Sequence, residues 1–173
     1  MQGVLIGVSF RGASEQRLPF IVDFYLVRHG EAFSETQDPR RPLTPAGRAH
    51  VEQLGRLAAA KSIRPMAIFH SGILRAKQTA EILGAQLAPN IQVQSITGLM
   101  PEDDPAIAAG ELETAQESIM LVGHLPHMNR LAALLINRNF SREVVDFNPA
   151  SMVCCSREAA RWSLAWMLKG ANS

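Results

Sequence analysis

Phe24-Tyr25-Leu26-Val27-Arg28-His29-Gly30-Glu31 decides how the rest of the chain is read. Its first half is a compact aromatic and aliphatic run, the pattern of a buried strand. Its second half turns polar at once and contains a glycine, so the strand stops there. The apolar residues just upstream, Pro19-Phe20-Ile21-Val22, allow an earlier start for the same strand. A strand that ends on an arginine and a histidine carries its chemistry at its carboxyl end.

Working outward toward the C-terminus, strand and helix signals alternate. After a polar loop over 30–42, Thr44 reads as a helix N-cap with Pro45 at the first helical position. Val51, Leu54, Ala58 and Lys61 follow at helical spacing. Met66 to Phe69 is a short buried-type strand. Leu74 to Leu87 is a second helix, with Ala76, Ala80, Leu83 and Leu87 on one face. Gln92-Val93-Gln94 alternates like a strand, 101–105 is an acidic turn, and Ala106 to Thr114 is a short helix. Ser118 to Val122 is a further strand, and Pro126 opens a helix carrying Met128, Leu131 and Leu135. Ala150 to Cys155 and Trp162 to Leu168 close the chain as two strands. Such alternation predicts an α/β fold with a largely parallel central sheet and helices on both faces.

Working outward toward the N-terminus, periodicity is lost. Gly3, Gly7 and Gly12 punctuate a mixed stretch that runs to Arg17. Residues 1–22 therefore read as an extension of uncertain order, and the working domain as 23–173. The apolar stretch Val4 to Phe10 has no basic residue before it and no clear cleavage site after it, so no signal peptide is read. No apolar run reaches the length of a membrane helix.

The 173 residues, 47% hydrophobic and 19% charged, describe an ordinary globular chain. A formal charge of +1 gives no global field for nucleic acid or anionic membrane. A local anion site is still compatible with it, because a few arginines barely move the total. Cys154 and Cys155 are adjacent, which makes no disulfide framework; they read as reduced thiols on a strand, in a cytoplasmic protein.

In open α/β sheets, ligands bind beyond the carboxyl ends of the strands. Three candidate groups sit at such ends: Arg28-His29, the segment Ser71 to Arg75, and Gly123-His124. Arginines and imidazoles converging on one crevice describe an oxyanion site, and the planar guanidinium fork matches phosphate.

These residues carry a family resemblance. Leu26-Val27-Arg28-His29-Gly30-Glu31-Ala32 resembles the signature of the histidine phosphatase superfamily, which includes phosphoglycerate mutases and acid phosphatases. Arg41-Pro42-Leu43-Thr44 resembles the start of that family's first helix. Ser71-Gly72-Ile73-Leu74-Arg75-Ala76-Lys77-Gln78-Thr79-Ala80 resembles the segment bearing its second arginine. Val122-Gly123-His124-Leu125-Pro126 resembles its second histidine motif. The order and compact spacing are most similar to the SixA-type phosphohistidine phosphatases. The resemblance implies a three-layer, phosphoglycerate mutase-like sandwich without large insertions. It implies His29 as the phosphorylated nucleophile, with Arg28, Arg75 and His124 binding the phosphoryl oxygens.

Elementary chemistry agrees with those roles. A neutral imidazole is a competent nucleophile. Flanking arginines disfavour the imidazolium and stabilise charge on a transferring phosphoryl group. Gly30 lets backbone approach closely and fixes the His29 tautomer. Ser71 reads either as a helix cap or as a phosphate contact. His124 and His127 form an H-x-x-H pair without a third ligand, so no metal is assigned, and no cofactor is implied. His50 and His70 read as structural, and Glu31 as solvated or touching substrate.

Gly72 stands where the family often has proline. The candidates for general acid are Glu102 and Asp103, in a short acidic loop that otherwise reads as an exposed turn. A weak acid suits a phosphorylated imidazole, a better leaving group than an alkoxide. Short loops leave an open pocket, which suits a side chain offered by another protein. The expected partner is thus a phosphohistidine-bearing protein, or alternatively a small phosphate ester. A non-catalytic phosphate-binding module is a third reading. No oligomeric state is assigned.

Overall fold

Thr44 starts the first helix as its side chain predicts: its hydroxyl accepts from Gly47 N at 2.9 Å, and Pro45 follows as the first helical residue. The structure, a computed structural model, describes residues 20–139 and 141–171. The apolar stretch 4–10, and the expected extension as far as residue 19, lie outside the described residues.

The elements run in order β1 (Ile21–Arg28), α1 (Pro45–Ala60), β2 (Ala67–His70), α2 (Leu74–Leu87) and β3 (Val93–Ser95). Then come α3 (Pro105–Thr114), β4 (Ile119–Gly123), α4 (His127–Asn137), β5 (Ser151–Glu158) and β6 (Arg161–Lys169). The strands form one sheet in the order β3-β2-β4-β1-β5-β6. β2 is parallel to β3 and β4, and β4 to β1, whereas β5 is antiparallel to both β1 and β6. Only β5 opposes the common direction, so the sheet is largely parallel, as the alternation predicts.

Strand pleating sends successive side chains to opposite faces. Tyr25 and Val27 pack with Val51, Leu54 and Ala58 of α1 and with Ala76, Ala80 and Leu83 of α2. Phe24 and Leu26 pack with Ala108 and Leu112 of α3 and with Met128, Leu131 and Leu135 of α4. The result is three layers. Arg157 ties the second helical layer to the sheet, donating to the carbonyls of Leu112, Glu113 and Ala115 at the end of α3.

Pairing sets two strand boundaries. β1 takes the earlier start that its upstream apolar residues allow: it begins at Ile21, and Val22, 4% exposed, pairs with Arg157 of β5. The closing strands are longer than the apolar runs because they form one hairpin turning at Ala159-Ala160, and ladder bonds extend through polar residues at its tip. Among the described residues no helix is long and apolar enough to cross a membrane.

Candidate active site

Strand register brings the three sequence groups to one edge. Arg28 lies opposite Gly123, and His70 opposite Val122, so His29, Ser71 and His124 leave the sheet at similar heights. His29 N donates to the Gly123 carbonyl at 3.1 Å, and its own carbonyl accepts from Ala150 N at 3.1 Å. The rings of His29 and His124 end 4.9 Å apart, centroid to centroid, at 54°.

Two contacts fix the His29 tautomer. Nδ1 lies 2.7 Å from the Gly30 carbonyl, which can only accept, so Nδ1 carries the proton. Arg75 Nε, which can only donate, lies 3.2 Å from Nε2, so Nε2 carries the lone pair. The Gly30 carbonyl, more than the residue's freedom of backbone, sets the tautomer. Burial lowers the imidazole pKa to about 4; the Gly30 bond opposes this, and the charges of Arg75, Arg28 and Arg41 add to it. At neutral pH the ring is uncharged, with a nucleophilic lone pair at Nε2.

His124 is 1% exposed, and its pKa is lowered to about 3, first by burial and then by His29 and Arg75. Its Nε2 lies 2.6 Å from Ser71 Oγ. That hydroxyl accepts only a long bond from Ile73 N, 3.4 Å, and the N-cap of α2 is Ile73. Ser71 therefore orients His124 more than it caps the helix. Arg28 is anchored from β5's side of the sheet: Nη1 donates to the Phe147 carbonyl at 2.7 Å. Arg28 Nε and His124 Nδ1 are buried without a hydrogen-bond partner among the described residues. Orphaned buried polar atoms cost free energy until a ligand satisfies them. Arg28 Nε is a donor by its chemistry, so a bound anion could satisfy it.

The loop that follows β1 is stitched to α2 one turn beyond Arg75. Gly30 N donates to Thr79 Oγ1 at 3.1 Å, and that hydroxyl donates to the Arg75 carbonyl at 2.8 Å. Leu43 N donates to Gln78 Oε1 at 2.8 Å. α1 also presses on this loop: a Cβ at Gly47 would sit 2.0 Å from the Glu31 carbonyl. Gly72 takes φ +86°, closed to proline, and its N donates to His70 Nδ1 at 2.9 Å. Arg41, Gln78, Thr79 and Phe147 belong to the site's framework, and sequence reasoning gave none of them a role. Arg41, Gln78 and Thr79 stood inside the quoted motifs, but only the fold-back of the loop shows what they touch.

The acidic candidates are placed differently. Glu102, its side chain 77% exposed, pairs with Arg130 at 3.3 Å. Asp103 accepts from Met100 N within its own turn, and Asp104 caps α3 through Ala106 N. Asp103 and Asp104 act on His127, which is fully buried and whose pKa burial lowers. The charged neighbours acting most strongly on His29 are all arginines. Glu31 is exposed and accepts from the Thr44 hydroxyl at 3.3 Å. Cys154 and Cys155 are buried, unbridged and pushed up to about 12 by burial, so neither offers a thiolate. An apolar cleft of about 310 Å³ lies under α3, between Phe69, Ile96, Ile107, Leu112 and Leu121, and offers no cation to an anion.

A family model, the histidine phosphatase superfamily (branch 1), matches residues 24–100, a span that includes Arg28, His29, Arg41 and Arg75. Over that span the chain matches the histidine phosphatase superfamily. An uncharacterized protein from Picosynechococcus sp. is 32% identical over 119 residues, which is 64% of this chain and 71% of that relative. The solved structure of the protein histidine phosphatase SixA complexed with tungstate has a TM-score of 0.77 at 21% identity. It covers 86% of this chain and 97% of that one. A mycobacterial glucosyl-3-phosphoglycerate phosphatase has a TM-score of 0.68 at 16% identity, over 84% of this chain and 97% of that one. Both likenesses define the fold as phosphoglycerate mutase-like.

Proposed function

We propose that the protein is a phosphatase that works through a phosphohistidine on His29 and acts on phosphohistidine carried by another protein. The observation that carries this reading is the pair of contacts on His29. Gly30 holds the proton on Nδ1, and Arg75 marks the lone pair on Nε2. In the first step Nε2 attacks phosphorus and the bond from phosphorus to the substrate nitrogen breaks. The departing imidazole takes up a proton from water. As phosphorus reaches Nε2, the Arg75 N–H exchanges its contact with the lone pair for a phosphoryl oxygen. In the second step water attacks phosphorus, the bond to Nε2 breaks, and inorganic phosphate leaves with neutral His29 restored. Arg28, Arg75 and His124 stabilise the equatorial oxygens in both steps. Ser71 acts through His124.

A phosphohistidine substrate is favoured because arginines dominate the field on His29, and Glu102 and Asp103 are engaged elsewhere. A phosphoramidate nitrogen needs less protonation on departure than an alkoxide. The second reading is a small phosphate ester, with Glu102 or Asp103 as the acid; the glucosyl-3-phosphoglycerate phosphatase shares this fold. Cytoplasmic location and the absence of a resident metal or cofactor belong to the same proposal.

Turnover of a phosphohistidine-bearing phosphotransfer domain, beside p-nitrophenyl phosphate, tests it with wild type and His29→Ala. Fast loss of phosphate from the protein substrate, abolished by His29→Ala, is expected. Turnover of the ester alone would move the function to a metabolite phosphatase.

A further inference from the structure

We propose that Arg41 is a further substrate-binding residue, whose two terminal amino groups grip the phosphoryl group beside Arg75. The inference rests on the phosphatase reading for its substrate, but its geometry stands apart from the chemistry at His29.

Arg41 is brought to the site by the loop between β1 and α1. Phe33 N donates to the Pro42 carbonyl at 2.9 Å, Ala32 bridges Leu43, and Thr44 N donates to the Glu31 carbonyl at 3.0 Å. The loop thus returns on itself, and its returning arm is fixed to α2 through Leu43 N and Gln78. Gln78 lies three residues beyond Arg75, on the same helical face. Arg41, two residues before that anchor, is held on the Arg75 side of the pocket. Its Nε donates to the Phe33 carbonyl at 3.2 Å, which fixes the plane of the guanidinium and leaves Nη1 and Nη2 free as a pair. A paired end-on fork is the geometry that binds two phosphate oxygens together.

Two observations say that the arrangement serves a ligand. First, Arg41 takes φ +50°, a left-handed conformation that costs energy in any residue with a Cβ. Neighbouring Arg40 has the same charge and pairs with Asp38 at 3.3 Å in an exposed setting. Such strain at an arginine over a binding site is typical of function. Second, Arg28, Arg41 and Arg75 make no ion pair among the described residues. The charge of Arg41 acts on Arg75, on His29 and on His124, and disfavours the protonated form of each. Like charges gathered around half-buried groups, with no carboxylate in ion-pair contact and only Asp146 acting on Arg28, are relieved when a dianion binds among them. A phosphoryl dianion fits that charge count better than a monoanionic ester.

The experiment is calorimetric titration of inorganic phosphate into wild type, Arg41→Gln, Arg41→Gly and Arg40→Ala. Glycine is the relaxed residue at this φ, so Arg41→Gly removes the side chain without adding strain and keeps the test valid if Arg41→Gln folds poorly. Arg41→Gln and Arg41→Gly are expected to weaken phosphate affinity about ten- to a hundredfold, the effect of losing a hydrogen-bonded charge contact. Arg40→Ala is expected to bind as wild type does. Phosphate binding within twofold of wild type in both Arg41 variants would overturn the assignment. So would an equal loss in Arg40→Ala, which would point to diffuse loop charge. So would a wild type that binds no phosphate. A wild type that binds phosphate but turns over no phosphorylated substrate would sink the phosphatase reading while leaving the role of Arg41 in place.

Discussion

His29 is held between one group that can only accept and one that can only donate, and those two contacts decide its chemistry. The Gly30 carbonyl takes the Nδ1 proton, and the Arg75 N–H takes the Nε2 lone pair. Arg75 helps keep the ring neutral, and in the proposed mechanism it also supplies charge where the phosphoryl group develops it. Arg75→Ala is expected to lower kcat by roughly a hundred- to a thousandfold, or about 2–4 kcal/mol, by analogy with the loss of one oxyanion donor. Steady-state kinetics with a saturating phosphorylated substrate measures it. A rate within twofold of wild type would remove Arg75 from the site. The residues of this constellation were legible in the sequence because each stands at the end of an apolar strand, where α/β sheets place their ligands. The hand-off from Ser71 to His124 was not legible, because it depends on register between β2 and β4. Nor was the carbonyl of Phe147 that anchors Arg28, which lies in a segment without periodic signal.

At the scale of elements, α1 and the loop after β1 are fitted together without spare room. Gly47 lies in the first turn of α1 with its Cα facing the Glu31 carbonyl, and a methyl group there would overlap backbone. Gly47→Ala is expected to destabilise the fold by at least about 1–3 kcal/mol, the range of overpacking penalties, with backbone rather than a side chain as the obstacle. Urea denaturation followed by circular dichroism measures it; a change below about 0.5 kcal/mol would mean that the loop yields. Helices α1 and α2 were readable from caps and spacing, since Thr44, Pro45 and the alanine-leucine stripe of α2 are local signals. The length of the closing hairpin was not, because ladder pairing carries it through polar residues at its tip. The start of β1 was legible only as an option, which the pairing of Val22 with Arg157 takes up. The position of Arg41 was hidden for a related reason: a left-handed residue in a folded-back loop leaves no pattern in the sequence.

For the whole molecule, buried histidines link stability to pH. His29 and His124 titrate at about 4 and about 3 in the folded protein, lowered mainly by burial, against about 6.5 in an unfolded chain. Above that unfolded value both states hold the rings neutral, and the full stability is present. As the pH falls below it, the unfolded chain binds protons that the folded protein refuses, so stability is lost. The loss continues until the pH passes the folded values. His70 and His127 are shifted in the same direction. The denaturation midpoint is expected to be flat from pH 7 to 8 and to fall steadily from about pH 6.5 toward 4. A His29→Asn, His124→Asn double variant is expected to show a shallower fall. Constant or rising stability over that acid range would contradict the burial argument. The same shifts keep the proposed nucleophile uncharged through the neutral range, so the property that the mechanism requires also makes the fold sensitive to acid.

The central claim is that phosphate passes through Nε2 of His29. Brief incubation of the protein with a radiolabelled phosphohistidine donor, followed by denaturation in alkali, where phosphohistidine survives, and peptide mapping, tests it most directly. Label on the peptide containing His29, absent from His29→Ala and accumulating when hydrolysis is slowed by cold, is the predicted result. Turnover of the donor with no label on His29, or undiminished labelling in His29→Ala, would contradict the account.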